Sequence, residues 1–355
     1  CKGLEMENFE IDVNQFPSLT WNFLNINRAH LEFSSEFKSC VSISGAKEIE
    51  NSALYDSIKT GLGEGFDKKF DSLLQKNGIK TLLFTAESKN KVQKIELFAQ
   101  ENEASVCDII IHAKENSQAS YIFVYKSEPE LLNAQLGVRI RVLAQENSHV
   151  HICCVNLLGK NAVHFNSVGS NCKDNATIEI TELELGGKKT FSGTFNSLEG
   201  YKSRFLGRAA YVVKGESFLD MNQVALQTGK SSESRFSVDG VLLEKAKKTW
   251  RGTIDFKKGC ADSVGDEQED VLLLSPDVVN KSLPVILCDE EAVEGRHGCS
   301  IGKVDMEKLF YMQSRGVDEK TARELLTKAK VSKVSRFIPD ESLVEEINSF
   351  VEAII

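Results

Sequence analysis

Proline is scarce in this chain, five residues in 355, and the predicted strands between 92 and 274 carry none. A proline inside a sheet removes a ladder hydrogen bond, so the middle of the chain is free to form uninterrupted strands. Long apolar runs are missing too. VLLL (271–274) and DIII (108–111) are strand-sized, far short of the roughly 18–20 residues of a membrane helix. The opening CKGLEMENFEID has no apolar stretch of the signal-peptide kind, and the expectation is a cytoplasmic protein with no membrane partner. Positive charge is in deficit: the net charge is −9 and the pI about 5.4. Phosphate-backbone binding needs a basic surface, so no nucleic-acid partner is expected. KAKKTWR (245–251) is the one candidate basic patch, and a charge run of this kind is read as a solvated face.

Motifs for chemistry are equally sparse. The nine cysteines (1, 40, 107, 153, 154, 172, 260, 288 and 299) are odd in number and contain no C-x-x-C pair. That spacing excludes a regular disulfide framework and a ready-made zinc or redox site. Most are expected to be reduced, buried thiols. GLGEGF (61–66) lacks the third glycine of a dinucleotide fingerprint, and GGKKT (186–190) lacks the leading glycine of a P-loop. There is no G-x-S-x-G elbow and no H-E-x-x-H helix. His149, His151 and Cys153 alternate along one strand face; they could hold a metal, but a row lining the core is the favoured reading. The chain is therefore not expected to be an enzyme.

What is present is repetition. LFAQENEASVCDIII (97–111), IHAKENSQASYIFVY (111–125) and VLAQENSHVHICCVN (142–156) share an alternating strand, an Ala-x-Glu-Asn corner and a second alternating strand. Looser copies run through 168–183, 212–226, 238–256 and 257–274. Period-2 alternation marks strands, and Gly, Asn, Asp and Ser supply the turns between them. Imperfect repetition over about 200 residues points to a β-solenoid in preference to a large sandwich. Ala99, Ala113 and Ala144 are small enough to stack inside successive corners.

The two ends differ from this middle. Residues 1–90 mix helix and loop, with GFDKKFDSLLQKNG (65–78) the clearest helix: Phe66, Phe70 and Leu73 share a face and Gly78 is a candidate C-cap. Residues 91–304 form the repetitive core. From 305 to 355 the pattern is helical, with Asp305, Asp318 and Asp340 placed to cap three short amphipathic helices. A cap over the solenoid end is the default role for such helices; a docking surface is the other.

The segment LLLSPDVVNKSLPVILCDEEAVEGRHGCSIGKVDMEKLFYMQSRGVDEKTARELL (272–326) closely resembles the SufB/SufD family of iron–sulfur cluster assembly proteins. The matching positions are His297, Gly298, Gly302, Asp305, Leu309, Phe310, Tyr311, Ser314, Arg315 and Gly316. PSLTWNFLNIN (17–27) is similar to the family's tryptophan segment, and TGLGEGFDKKF to its pre-core helix. Val278 stands where SufB-like chains carry a cysteine, and His297 lies between Arg296 and Gly298; the pattern is SufD-like.

The resemblance implies a mainly β chain whose core is a right-handed parallel β-helix, flanked by a small mixed N-terminal region and a helical C-terminal one. It further implies a scaffold subunit that pairs with a SufB-like subunit or with itself. A SufC-like ABC ATPase would dock on Leu309, Phe310, Tyr311, Ser314, Arg315 and Gly316. His297, as a metal ligand, and Cys299 and Cys288 become candidates for cluster assembly or for the interface. Imidazole suits iron and thiolate suits clusters, and His297 and Cys299 share a strand face at i and i+2. No permanently bound cofactor is expected, only a transient cluster or iron. The competing class is a β-helix enzyme such as a polysaccharide lyase or an acyltransferase, for which no clustered catalytic set is visible.

Overall fold

The computed structural model describes residues 8–17, 24–39, 47–49, 69–89 and 91–355; Trp21 and GLGEGF lie outside them. The elements run β1 (Asn8–Val13), β2 (Ala29–Ser34), β3 (Lys38–Ser39), β4 (Lys47–Ile49), α1 (Lys69–Lys76), β5 (Thr81–Ala86), β6 (Gln93–Phe98), β7 (Ala104–Ala113) and β8 (Gln118–Lys126). Next come β9 (Gln135–Ala144), β10 (His149–Leu157), β11 (Val163–Cys172), β12 (Thr177–Glu184), β13 (Lys189–Leu198) and β14 (Arg204–Val213). The last strands are β15 (Phe218–Gln227), β16 (Glu233–Leu242), β17 (Lys247–Phe256), β18 (Ser263–Leu273), β19 (Val279–Cys288) and β20 (Val293–Lys303). Helices α2 (Met306–Ser314), α3 (Glu319–Ser335) and α4 (Glu341–Ile354) close the chain.

From β5 onward successive strands alternate between two sheets. Even-numbered strands β6 to β20 form an eight-stranded sheet, and odd-numbered strands belong to a ten-stranded one. Each strand pairs in parallel with the strand two before it, which is a parallel β-helix. The solenoid starts at β5, within the segment assigned to the N-terminal region, because β5 pairs in register with β7.

The Ala-x-Glu-Asn corners explain the repeat. Asn102, Asn116 and Asn147 sit at φ 54°, 59° and 56°, and Asn175 of a looser copy at 54°, the left-handed conformation that asparagine tolerates. Each donates its backbone N–H to the corner of the next rung, Asn116 to Glu146 O (3.0 Å) and Asn147 to Asp174 O (2.9 Å). Asn147 Nδ2 also donates to Asn116 Oδ1 (3.1 Å). Later rungs place Lys202, Ser231 and Asp262 at the same left-handed position, so the geometry persists after the motif has faded. Ala99, Ala113 and Ala144 are buried as expected.

Both outer faces of the solenoid are covered. The β1–β2 hairpin and α1 pack Phe33 and Phe70 on Phe165 and Phe191, on the outside of the odd sheet. Gly78, at φ 65°, follows the end of α1. On the outside of the even sheet, Val331 and Val334 of α3 and Leu343, Ile347 and Val351 of α4 pack on Ile122, Val155, Leu183 and Val212. Burying each such side chain contributes about 1.5–3 kcal/mol. Asp318 and Asp340 cap these helices, accepting from Thr321 N–H (2.8 Å) and Leu343 N–H (3.0 Å). Helices α3 and α4 thus lie along the flank of the solenoid, not over its end, which corrects the expectation of an end cap. The apolar rows on the outer face of β8 to β16 make the flank the larger surface to cover.

Two further expectations are corrected. KAKKTWR is a solvated face only at Lys245 and Lys247: Lys248 is buried inside the solenoid and Arg251 is buried on its outside against Asp220 (2.7 Å). His149, His151 and Cys153 do not line the core either. Val150, Ile152 and Cys154 do so, and the histidine row faces outward, with His149 Nε2 2.9 Å from Glu179 and His151 Nε2 3.0 Å from Thr181 Oγ1.

Candidate functional site

Among the described residues, no strand is stacked on the last rung, β19 and β20. Its residues are partly or fully exposed, whereas β17 beneath it is almost wholly buried. Strand alternation aims every second side chain of this rung into the mouth of the solenoid. Register puts His297 beside Glu267 and Cys299 beside Glu269, and Asn280 and Ser282 beside Lys248 and Trp250. His297 and Cys299 therefore share the inner face, as the i, i+2 spacing predicts. Arg296 points the other way and pairs with Glu294 (Nε–Oε1 2.8 Å). Cys288 is not brought to this group: it ends β19 at the corner, where its thiol donates to Glu290 O (3.0 Å).

Beneath Cys299 lies a buried charge pair. Lys248 and Glu269 are in contact with no side-chain exposure on either. Lys248 also donates to Ser282 Oγ (3.1 Å), the Tyr211 hydroxyl donates to Glu269 Oε1 (3.2 Å), and the Cys299 thiol donates to Glu269 Oε2 (3.5 Å). Burial pushes the Lys248 ammonium below its ordinary range, with Glu269 opposing the shift. Burial and the Glu269 charge push the Cys299 thiol up. At neutral pH Cys299 thus rests as a thiol, and a cation that binds it as thiolate must displace its proton.

Glu267 reaches under His297. Its carboxylate is fully buried, and its Oε1 stands 3.8 Å from His297 Nδ1. Neither oxygen makes a hydrogen bond of ordinary geometry. Burial raises it to about 9, the Val285 backbone amide offsetting only part of this, so the group is neutral at pH 7. His297 itself is half exposed.

Sequence reading missed the polar interior that continues below this mouth. Ser192 Oγ, Gln223 Nε2 and Asn166 Nδ2 donate to the buried Glu182 at 2.7, 3.3 and 3.4 Å. Trp250 Nε1 donates to Gln223 Oε1 (3.2 Å) and Tyr125 OH to Asn166 Oδ1 (3.0 Å). Glu184, beside Glu182 and bonded by Asn156 Nδ2 (2.9 Å), is raised to about 8, by burial and then by the Glu182 charge. A signal was available. In TIEITELEL the apolar residues are Ile178 and Ile180, then Leu183 and Leu185; the alternation slips by one. The slip puts Glu182 and Glu184 inside and the leucines outside, under α3 and α4.

The match to known proteins is explicit. The family description "SUF system FeS cluster assembly, SufBD core domain" matches residues 97–330. The chain belongs to this SufBD family. It is 24% identical over 262 residues to the iron–sulfur cluster assembly protein SufD of Bacillus subtilis, covering 74% of this chain and 60% of that protein. It is 25% identical over 274 residues to a SufBD family protein of Pyrococcus horikoshii, covering 67% of this chain and 60% of the relative. SufB of Bacillus subtilis is 20% identical over 238 residues, 66% of this chain and 51% of SufB. The chain thus spans about 60% of the length of the first two relatives. In this SufBD-family fold the matched stretch is the solenoid from the end of β6 onward, together with α2 and most of α3.

The resemblance also singled out α2. Leu309 is buried, whereas Phe310 and Tyr311 are 72% and 60% exposed. Arg315 lies over the Tyr311 ring (5.3 Å), Ser314 Oγ donates to Tyr311 O (2.7 Å), and Gly316, at φ 87°, ends the helix. Leu309 anchors α2, and the aromatic pair faces outward. Among the described residues no helix is long and apolar enough to cross a membrane.

Proposed function

We propose that this chain is a non-enzymatic scaffold subunit in iron–sulfur cluster assembly. It mates through β19 and β20 with a SufB-like sister or a second copy, and docks a SufC-like ABC ATPase on α2. Nascent cluster or iron is its cargo, handled at the mating face by His297 and Cys299. The observation that carries this reading is the uncovered last rung. Two strands of 10 and 11 residues end their sheets with free edges, which natural proteins normally shield. Val279 and Ile301 are 42% and 48% exposed on that rung, an apolar contribution suited to a partner rather than to water.

Replacing both by lysine (Val279→Lys with Ile301→Lys) is expected to abolish pairing while leaving the unfolding midpoint within a few degrees. Light scattering of the chain alone, and of its mixture with a SufB-like subunit, reads this out and tells self-pairing from hetero-pairing. A pairing constant unchanged in both samples would refute the mating face.

Docking has its own test. Phe310→Ala and Tyr311→Ala remove exposed aromatics, so each is expected to weaken ATPase binding at least tenfold, as about 2 kcal/mol at an interface hot spot implies. Neither should change stability measurably. Leu309→Ala should instead destabilise the fold by about 2–4 kcal/mol, because it empties a buried position. Calorimetric titration with the ATPase that finds the aromatic variants binding normally would move the docking surface elsewhere.

A further inference from the structure

Glu267 is the anomaly of the mouth. A buried carboxylate is ordinarily hydrogen-bonded or paired, since leaving one unmatched costs several kcal/mol. Every other carboxylate facing this part of the interior has partners: Glu269 has Lys248, Tyr211 and Cys299, and Glu182 has Ser192, Gln223 and Asn166. Glu267 has no hydrogen bond of ordinary geometry to either oxygen, only the Val285 backbone amide nearby. Yet the fold makes room for it. Opposite it on β17 stands Gly252, where an added Cβ would lie 2.6 Å from Glu267 Oε2 and 2.6 Å from the Trp250 ring. The carboxylate occupies the space a side chain would take, and the group next to it toward solvent is the His297 ring, 3.8 Å away.

An unmatched carboxylate and an imidazole on adjacent strands, open to solvent on the imidazole side, are two donors of the kind that hold a divalent transition metal. Among the described residues no three acidic, histidine or cysteine groups converge, so this chain offers a pair and leaves further positions to water or to a facing subunit. We infer that Glu267 and His297 together form a half-site for ferrous iron at the solenoid mouth, with Glu267 the inner ligand and His297 the outer. This rests on the reading of His297 as a cargo-handling residue, and adds to it the ligand that the exposed imidazole lacks. An open half-site suits cargo, because a metal held by two protein donors can be passed on.

The chain has six histidines, so histidine-labelled protein gives a readable imidazole spectrum, and Co²⁺ serves as an oxidation-stable paramagnetic stand-in for ferrous iron. In the full wild-type chain, substoichiometric Co²⁺ is expected to shift and broaden the His297 ring signals. Glu267→Gln keeps the shape of the side chain but cannot give up a proton to become the anionic ligand a metal would bind. It should raise the Co²⁺ concentration for half-maximal change at His297 at least tenfold, with the signal of the fully buried His164 unmoved as evidence of an intact fold. If the Glu267→Gln titration superimposes on wild type, Glu267 is no ligand and His297 stands alone. If Co²⁺ leaves the wild-type His297 signals untouched, both the half-site and the metal role of His297 fall.

Discussion

Lys248→Met is expected to lower folding stability by about 3–5 kcal/mol, the range for removing one partner of a buried ion pair. The substitution strands Glu269, which has no side-chain exposure and keeps only the Tyr211 hydroxyl and the Cys299 thiol as partners. Lys248→Met combined with Glu269→Gln should recover most of the loss, because the neutral pair carries no desolvation penalty. Urea unfolding of the two single variants and the double gives the coupling directly. If the double variant is as unstable as Lys248→Met, the pair is not what holds the last buried rung in shape. The same series bears on chemistry: removing the Glu269 charge takes away one of the two causes that raise the Cys299 thiol, so Glu269→Gln should speed thiol alkylation at pH 8.

Asp108→Ala should be as damaging at the opposite end of the solenoid. Arg139 and Arg141 are fully buried on the outer face of β9, and Asp108 binds both: Oδ1 accepts from Arg139 Nε (2.8 Å) and both oxygens accept from Arg141 Nη2 (2.8 and 2.7 Å). Thr81 Oγ1 adds a hydrogen bond (2.5 Å). Without the carboxylate two guanidinium groups are left under-compensated, and the expected cost is again about 3–5 kcal/mol. Burial alone would raise the Asp108 carboxyl, but the two guanidinium groups outweigh it and hold it at about 2. Because the folded value lies below the unfolded one, the linked stability is fully present above about pH 4 and is lost as pH falls toward 2. It amounts to roughly 2 kcal/mol. Asp108→Asn should flatten the acid limb of the stability–pH curve, and an unchanged limb would show that other carboxylates carry it.

The strands and corners were legible for a local reason. Alternation and a left-handed asparagine are set by backbone sterics within a few residues, and Ala-x-Glu-Asn states both. Asp318 and Asp340 were legible as caps on the same ground. His297 and Cys299 were legible as a same-face pair because both lie on one strand, where spacing fixes the face. Cys288 was different. It sits on the neighbouring strand, and only the path of the β19–β20 corner shows that it ends beside Glu290 instead of near His297.

What misled was two-sided burial. An alternating strand reads as one apolar and one polar face, but both faces of the even-numbered strands β8 to β16 are covered, one by the opposite sheet and the other by α3 and α4. The histidine row of β10 was therefore assigned to the wrong face, and the phase slip in β12 that brings Glu182 and Glu184 inside passed unread. KAKKTWR failed similarly, since Lys248 and Arg251 enter opposite faces of one strand and meet acids, Glu269 and Asp220, that are distant in sequence.

Taken alone, the amino-acid order determined a stacked parallel sheet, its corner chemistry, its helical tail and its membership of a cluster-assembly family, because each of these is written in short-range pattern. The tertiary structure decided where the helices lie, which charges are buried, and that Glu267 stands unmatched beneath His297. Those depend on which distant segment covers each face, and a period of two treats the two faces of a strand alike.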